Sequence, residues 1–233
     1  MRTDSRTLLV ALAVVGGVDV LLGDALMLLS GATGSPFVAK IAEYFWADQE
    51  ANVWSWYSSF LLGAIGIGLL LLARMQQDRT GRRAYGVLGV AAIVMSADET
   101  ASLHEALGYL GDSIGGLTSN WLLLGIPFAV VAGVVALRLS RRFDPRLRRR
   151  LIVAGVVYLL GAVAVESLGG ALSGPMGLLR FHPLYVLEVT VEEGLEFAGT
   201  LLALRAVLAA LQDTAAAAPE RVAKGTAQLH RTP

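Results

Sequence analysis

Two segments of the chain place clusters of acidic residues inside stretches that are otherwise apolar enough to lie in a membrane. The first, residues 96–108, reads SADETASLHEALG and contains Asp98, Glu99, His104 and Glu105. The second, residues 187–199, reads LEVTVEEGLEFAG and contains Glu188, Glu192, Glu193 and Glu196. Ionisable groups at such a depth are costly to bury and usually functional. We therefore expect the two segments to build one buried polyacidic site.

The composition places the chain among membrane proteins. It has 233 residues, of which 55% are hydrophobic and 16% charged, and its mean hydropathy is +0.61. Such values are unusual for a soluble domain. The absence of cysteine excludes disulfides, thiolate metal sites and thiol catalysis. A metal ion would therefore have to be held by carboxylates and imidazoles.

Six apolar runs are long enough to cross a bilayer, for which about 20 helical residues suffice. They cover residues 8–30, 53–73, 84–110, 119–137, 151–172 and 183–211. The first run is too long for the apolar core of a signal peptide and contains Asp19 and Asp24, so we interpret it as a membrane span. The predicted fold class is all-α, an integral membrane bundle of six transmembrane helices.

The segments outside these runs complete the predicted organisation. Residues 36–51 mix aromatic and charged side chains and favour a short helix lying in the membrane interface. The transmembrane domain would then cover residues 1–211. Residues 212–233 lack hydrophobic periodicity, which predicts a disordered cytoplasmic tail.

The distribution of charge predicts the orientation. Seventeen of the 19 lysines and arginines fall on one side of the predicted spans, the exceptions being Lys40 and Arg180. The positive-inside rule makes that side cytoplasmic, together with both termini. Fourteen of the 19 acidic residues then lie in the outer loops or the outer halves of the helices. The four tryptophans fall at the outer boundary, as an aromatic belt would.

Helical periodicity indicates which acidic residues share a face. Asp98 and Glu105 would be about 20° apart on a continuous helix. In the last span, Glu188, Glu192 and Glu196 follow an i, i+4, i+8 stripe that Glu193 widens. Several carboxylates cannot stay ionised together at low dielectric, so either some of them hold protons or a metal ion neutralises them.

The metal interpretation predicts a divalent site in the outer half of the bundle with one ion or two. Its predicted ligands are Glu50, Asp98, Glu99, His104, Glu105, Glu188, Glu192, Glu193 and Glu196. The residues predicted to support them are Asp19, Asp24 and Glu166. Oxygen ligands with one imidazole favour Fe or Mn, with Zn, Ca and Mg as alternatives.

Two simpler interpretations compete with the metal site. The acids of the last span could form a structural network of protonated carboxyls. The Asp98 to Glu105 segment could already have left the hydrocarbon, because only 14 apolar residues, 84–97, precede it. Carboxylate-bridged di-iron bundles use a comparable ligand set, but they require Glu-x-x-His twice, whereas His104 stands five residues after Glu99.

The motifs DExxxxHE (residues 98–105) and EExxE (residues 192–196) resemble those of a group of uncharacterised bacterial multi-pass membrane proteins. The resemblance covers residues 50–199. It implies a protein of the bacterial inner membrane and no settled activity.

Three functions remain open from the sequence. The first is an oxidase, hydroxylase or hydrolase that uses the metal on a lipid-soluble substrate. The second is a cation or proton-coupled transporter, which is less favoured because no acidic residues continue through the inner halves of the helices. The third is a structural or accessory membrane protein. The expected partners are the lipid bilayer and such a substrate, with no nucleic acid, and the sequence does not determine the oligomeric state.

Overall fold

Helices make up nearly all of the chain that the structure describes. The computed structural model describes residues 2–102, 120–165, 167 and 179–229. The α-helices in these ranges are α1 (Arg2–Thr33), α2 (Pro36–Ala42), α3 (Val53–Arg74), α4 (Arg79–Ala101), α5 (Asn120–Leu139), α6 (Pro145–Leu159) and α7 (Pro183–Leu229). A 3₁₀ turn, Ser140–Arg142, precedes α6, and a π-helical turn, Leu160–Val165, follows it. The described residues contain no β-strand, which confirms the predicted all-α class.

Three of the described helical segments are long and apolar enough to cross a membrane: Ser5–Thr33, Val53–Arg74 and Pro183–Ala217. Large apolar side chains cover the outside of the molecule; Phe128 of α5, for example, is 72% exposed. Such a surface suits a hydrocarbon solvent and indicates a membrane protein. The six-span count and the cytoplasmic termini stay predictions.

The helix boundaries agree with the sequence prediction at the starts of α3 and α7 and differ elsewhere. The prediction that one helix runs through to residue 110 is wrong, because α4 ends at Ala101 and Ser102 adopts the left-handed conformation with φ of 52°. The predicted angular relation between Asp98 and Glu105 assumed a continuous helix, and Glu105 itself lies outside the described residues. The structure also continues α7 as helix to Leu229, where we predicted a disordered tail. Its alanine-rich stretch from residue 215 has a high helix propensity.

Helix α7 lies at the centre of the packing, against α1, α3 and α6, while α3 also packs on α4. Glycines permit two of these close approaches. A Cβ at Gly66 of α3 would stand 2.8 Å from the Gly89 carbonyl oxygen of α4, and one at Gly68 would stand 2.5 Å from Val207 of α7. Small residues let helix backbones approach in a membrane, where helix contacts depend on van der Waals packing.

The connection between α2 and α3 is folded tightly around Asn52. The Asn52 side chain accepts a 3.0 Å hydrogen bond from the Ser55 backbone, and the Ser55 hydroxyl accepts from the Asn52 backbone, which completes a capping box. The same side chain donates to the Trp46 carbonyl at 2.6 Å. Asn52 therefore fixes the start of α3 and the loop before it together.

Candidate functional site

A small cavity lies where α4 and the end of α6 approach α3 and α7. It is lined by Ser58, Leu62, Glu99, Tyr158, Glu193, Glu196, Phe197 and Thr200. Its volume is about 10 Å³, close to the minimum that holds one water molecule. Three of the sequence-predicted acids, Glu99, Glu193 and Glu196, are thus brought together from two helices that are distant in the sequence.

Glu193 is held by the first turn of α3. The Trp54 indole Nε1 donates a 2.8 Å hydrogen bond to Glu193 Oε2. The Trp54 ring is only 1% exposed and meets the Phe197 ring edge-on, with the ring centroids 5.3 Å apart. Because Trp54 stands two residues after the Asn52 cap, the cap and the aromatic contact together direct the indole N–H at the carboxylate.

Glu196 is held by Tyr158, which hydrogen-bonds to it from the last turn of α6. Two glycines allow this approach. A Cβ at Gly199 would stand 2.7 Å from the Tyr158 backbone nitrogen, and one at Gly161 would stand 2.5 Å from the Glu192 carbonyl oxygen. Gly161 belongs to the π-helical turn, a feature often found at functional sites. The α6 backbone therefore touches α7 both before and after Glu196.

Glu99 reaches the cavity from the end of α4. One turn earlier, Ser59 of α3 and Ser96 of α4 exchange hydrogen bonds. The Ser59 hydroxyl donates to the Ser96 carbonyl at 2.5 Å, and the Ser96 hydroxyl donates to the Ser59 carbonyl at 2.7 Å. This reciprocal pair fixes the rotation of α4 and so determines that Glu99 faces the cavity.

The charges around the cavity are all of one sign. No lysine, arginine or histidine is among the described residues that line it. Carboxylates that share a low-dielectric site repel one another, and neutral donors such as Trp54 and Tyr158 remove only part of that cost. The arrangement can therefore take up a cation, either protons or a metal ion.

The side chains of the described residues do not form a complete metal centre. Among its histidine, aspartate and glutamate side chains, no three are placed so that they could hold one ion together. Predicted ligands His104 and Glu105 and the supporting residue Glu166 lie outside the described residues. The metal and its ligand set stay predictions.

The other predicted ligands in the described part of the chain do not line the cavity. Asp98 is next to Glu99 on α4, and Glu192 is next to Glu193 on α7. Glu188 lies one turn nearer the start of α7 and is 9% exposed. Glu50 is half-buried in the connection before α3.

The two supporting aspartates of α1 face different surroundings. Asp24 Oδ2 accepts a 2.8 Å hydrogen bond from Thr190 of α7, which ties the two helices together. Asp19 Oδ2 is buried without a hydrogen-bond partner among the described residues. Asp24 therefore acts as a contact between helices rather than as a cavity residue.

A further carboxylate, Asp48, joins the outer connection to the start of α7. It accepts 3.2 Å hydrogen bonds from Trp46 Nε1 and from the Tyr185 hydroxyl. Although Asp48 as a whole is exposed, desolvation of its carboxyl group raises the pKa of that group, while the two hydrogen bonds and the nearby Arg180 oppose the rise. Sequence reasoning did not single out this residue.

Sequence reasoning also missed Trp54 and Tyr158. Trp54 was predicted to belong to an aromatic belt, but it is buried, as is Trp46, whereas Trp56 is 64% exposed. Tyr158 carried one available signal, a hydroxyl inside an apolar run three residues before Gly161. A buried tyrosine or tryptophan usually needs a hydrogen-bond partner, and here both partners are glutamates.

A larger groove of about 510 Å³ lies elsewhere, between the end of α1 and the start of α7. It is lined mainly by apolar side chains: Leu28, Gly31, Ala32, Leu179, Phe181, His182 and Pro183. Its edge at Pro183 is about 15 Å along α7 from Glu193. The groove is therefore separate from the carboxylate cavity.

Comparison with known proteins places the chain in a family. A family model described as Domain of unknown function (DUF8692) matches residues 7–211, which include every described residue of the cavity. No curated protein and no solved structure matches the chain.

Proposed function

For this chain, which belongs to the family Domain of unknown function (DUF8692), we propose that the carboxylate cavity binds a divalent metal ion within the membrane. The supporting observation is that Glu99, Glu193 and Glu196 line one cavity that no described basic side chain enters. A single divalent ion would neutralise two of the three charges. One proton on the third would complete the charge balance.

The donor atoms favour a hard cation. Carboxylate oxygens dominate, and Ser58, Tyr158 and Thr200 add hydroxyls to the cavity wall. This set suits Fe or Mn and also Mg or Ca, and it suits Zn less well. The hydrogen bonds from Trp54 and Tyr158 would orient the carboxylates while leaving their other oxygens for the ion.

We also propose that six helices cross the membrane, with both termini in the cytoplasm and the cavity in the outer half of the bundle. The described core supports a site that is closed on its inner side. Towards the arginine-rich end of α3, the buried side chains are apolar: Leu61, Ile65, Leu69, Leu72, Leu204 and Val207. A path that conducts ions should contain polar groups there. We therefore favour an ion that stays bound in the cavity over an ion that is transported through the protein.

In the enzyme form of this proposal, Glu99, Glu193 and Glu196 would hold the ion, which would supply activation of water or oxygen for a reaction on a lipid-soluble substrate. The protein would supply orientation through Trp54 and Tyr158 and proton transfer through a cavity glutamate. The described geometry supports a cation site more directly than it supports any one reaction.

Elemental analysis of the full-length protein purified in detergent tests the proposal. We expect stoichiometric Fe or Mn in the wild type and loss of that metal in the Glu193→Gln, Glu196→Gln double variant. Glu43→Gln is the matched control, because Glu43 pairs with Lys40 at 2.6 Å on the surface. Absence of any bound metal after incubation with Fe, Mn, Zn, Ca and Mg would reject the metal site.

A second candidate function is proton-coupled transport. It is supported by the two neutral donors, because the Trp54–Glu193 and Tyr158–Glu196 hydrogen bonds can hold carboxyls that exchange protons. Proteoliposomes distinguish the candidates. A cation flux that responds to a pH gradient and disappears in Glu193→Gln would favour transport, whereas bound metal without flux would favour the fixed site.

A further inference from the structure

The end of the bundle opposite the carboxylate cavity is strongly basic. The α3–α4 connection, residues 74–83, carries four arginines, and residues 138–150 carry seven. The two aspartates in these segments are engaged as helix caps: Asp78 accepts from the Gly81 backbone at 2.6 Å, and Asp144 accepts from the Arg146 backbone at 2.9 Å. Among the described side chains, none of the eleven arginines forms an ion pair with a carboxylate. Their charge is therefore available to a ligand.

The two basic segments form one surface because an aromatic pair joins them. The Tyr85 and Phe143 rings are stacked with centroids 3.9 Å apart and an interplanar angle of 14°. Both side chains are buried, and the Tyr85 hydroxyl is hydrogen-bonded to the Asp144 backbone. The start of α4 is thereby held against the turn between α5 and α6.

Exposed arginines of this surface stand at the ends of apolar stripes that face outwards. On α4, Arg83 is followed at helical spacing by exposed Val87, Val90 and Val94. Residues i, i+4, i+7 and i+11 share one face of a helix.

The same pattern recurs on α6 and α5. On α6, Arg149 is followed at the same spacing by exposed Val153 and Val156, and exposed Leu160 follows in the π-helical turn. On α5, which runs in the opposite direction, exposed Val131 and Val135 lead to Arg138. Each of the three helices therefore offers an apolar stripe that ends in a guanidinium group.

We propose that these stripes bind anionic phospholipids of the adjoining leaflet, with the phosphate on Arg83, Arg138 or Arg149 and the acyl chains on the valines. A guanidinium group can bind a phosphate through two parallel hydrogen bonds. An anionic lipid also adds a net charge that a zwitterionic lipid lacks. The apolar stripe distinguishes this ligand from free phosphate or a soluble polyanion, because neither would use the exposed valines.

Lipid titration of the detergent-purified full-length chain tests the proposal, with bound lipid counted by native mass spectrometry. The probes are phosphatidylglycerol and phosphatidylcholine with the same acyl chains. The Arg83→Gln, Arg149→Gln variant removes two stripe arginines. The Arg82→Gln, Arg142→Gln variant removes the same charge from the same surface but from positions outside the stripes.

We expect the wild type to prefer phosphatidylglycerol and the stripe variant to bind it roughly 30-fold more weakly. The Arg82→Gln, Arg142→Gln control should retain most of the affinity. Equal binding of the two lipids, or equal weakening by both variants, would overturn the proposal in favour of a diffuse basic surface. Displacement of the lipid by inorganic phosphate would overturn it in favour of a phosphate site.

Discussion

The indole Nε1 of Trp54 donates a 2.8 Å hydrogen bond to Oε2 of Glu193, across 139 residues of sequence. This bond links the first turn of α3 to the middle of α7 at the wall of the carboxylate cavity. It gives one carboxyl oxygen of Glu193 a neutral donor, which supplies no positive charge. A cation in the cavity would complete that arrangement.

Trp54→Phe should destabilise the protein, because it removes the N–H group that donates to Glu193. Most of the ring packing against Phe197 is kept, so the loss reports on the hydrogen bond. A buried acceptor that loses its partner costs about 1–3 kcal/mol. Thermal unfolding in detergent measures the loss, and Trp56→Phe serves as the control because Trp56 is exposed. The loss should largely disappear when Glu193→Leu is present in both backgrounds, because leucine offers no acceptor for the indole N–H. An equal loss in the two backgrounds would contradict a role for this hydrogen bond.

Alanine at Gly161 or Gly199 should push α6 away from α7. The added Cβ would meet backbone atoms at 2.5 to 2.7 Å, and backbone cannot yield as a flexible side chain can. We expect a cost of about 1–3 kcal/mol, together with loss of the Tyr158–Glu196 contact. Gly155→Ala and Gly194→Ala are matched controls on the same helices, because a Cβ at either position meets nothing within 4 Å. Similar stabilities for all four variants in thermal unfolding would argue against this close packing.

Glu99→Gln and Asp98→Asn should differ in metal retention, although the two residues are neighbours. Only Glu99 lines the cavity, so Glu99→Gln should reduce the bound metal measured by elemental analysis while Asp98→Asn largely retains it. Retention by the wild type should also fall as the pH is lowered, because protons compete with the metal for the carboxylates. Equal losses in the two variants would show that the metal does not depend on the cavity.

Substitutions of Asn52 should separate its two roles. Asn52→Ala removes both the helix cap and the bond to the Trp46 carbonyl, and we expect a cost of about 1–2 kcal/mol. Asn52→Asp keeps an oxygen that can cap α3 but loses the donor to Trp46, so it should fall between Asn52→Ala and the wild type in thermal unfolding. If Asn52→Asp is as unstable as Asn52→Ala, the bond to Trp46 matters more than the cap.

Local patterns were sufficient to predict several features of this chain. The apolar runs predicted the starts of α3 and α7 because each helix there begins at a residue that local chemistry marks, Val53 after an Asn cap and Pro183 as a helix-initiating proline. The acidic stripe of α7 followed from helical periodicity alone. The end of α4 was mispredicted, since the left-handed residue Ser102 has no signal comparable to a glycine.

The amino-acid sequence determines that this chain is helical, apolar enough for a membrane, and acidic along one face of α7, because composition and helical period are properties of single segments. The tertiary structure decides that Glu99, Glu193 and Glu196 converge while Asp98 and Glu192 do not line the cavity. That choice depends on the rotation and approach of separate helices, which the Ser59–Ser96 pair and the contacts at Gly161 and Gly199 set. The partners Trp54 and Tyr158 could not be predicted from the sequence for the same reason, since each meets its glutamate only after α3 and α6 have packed on α7.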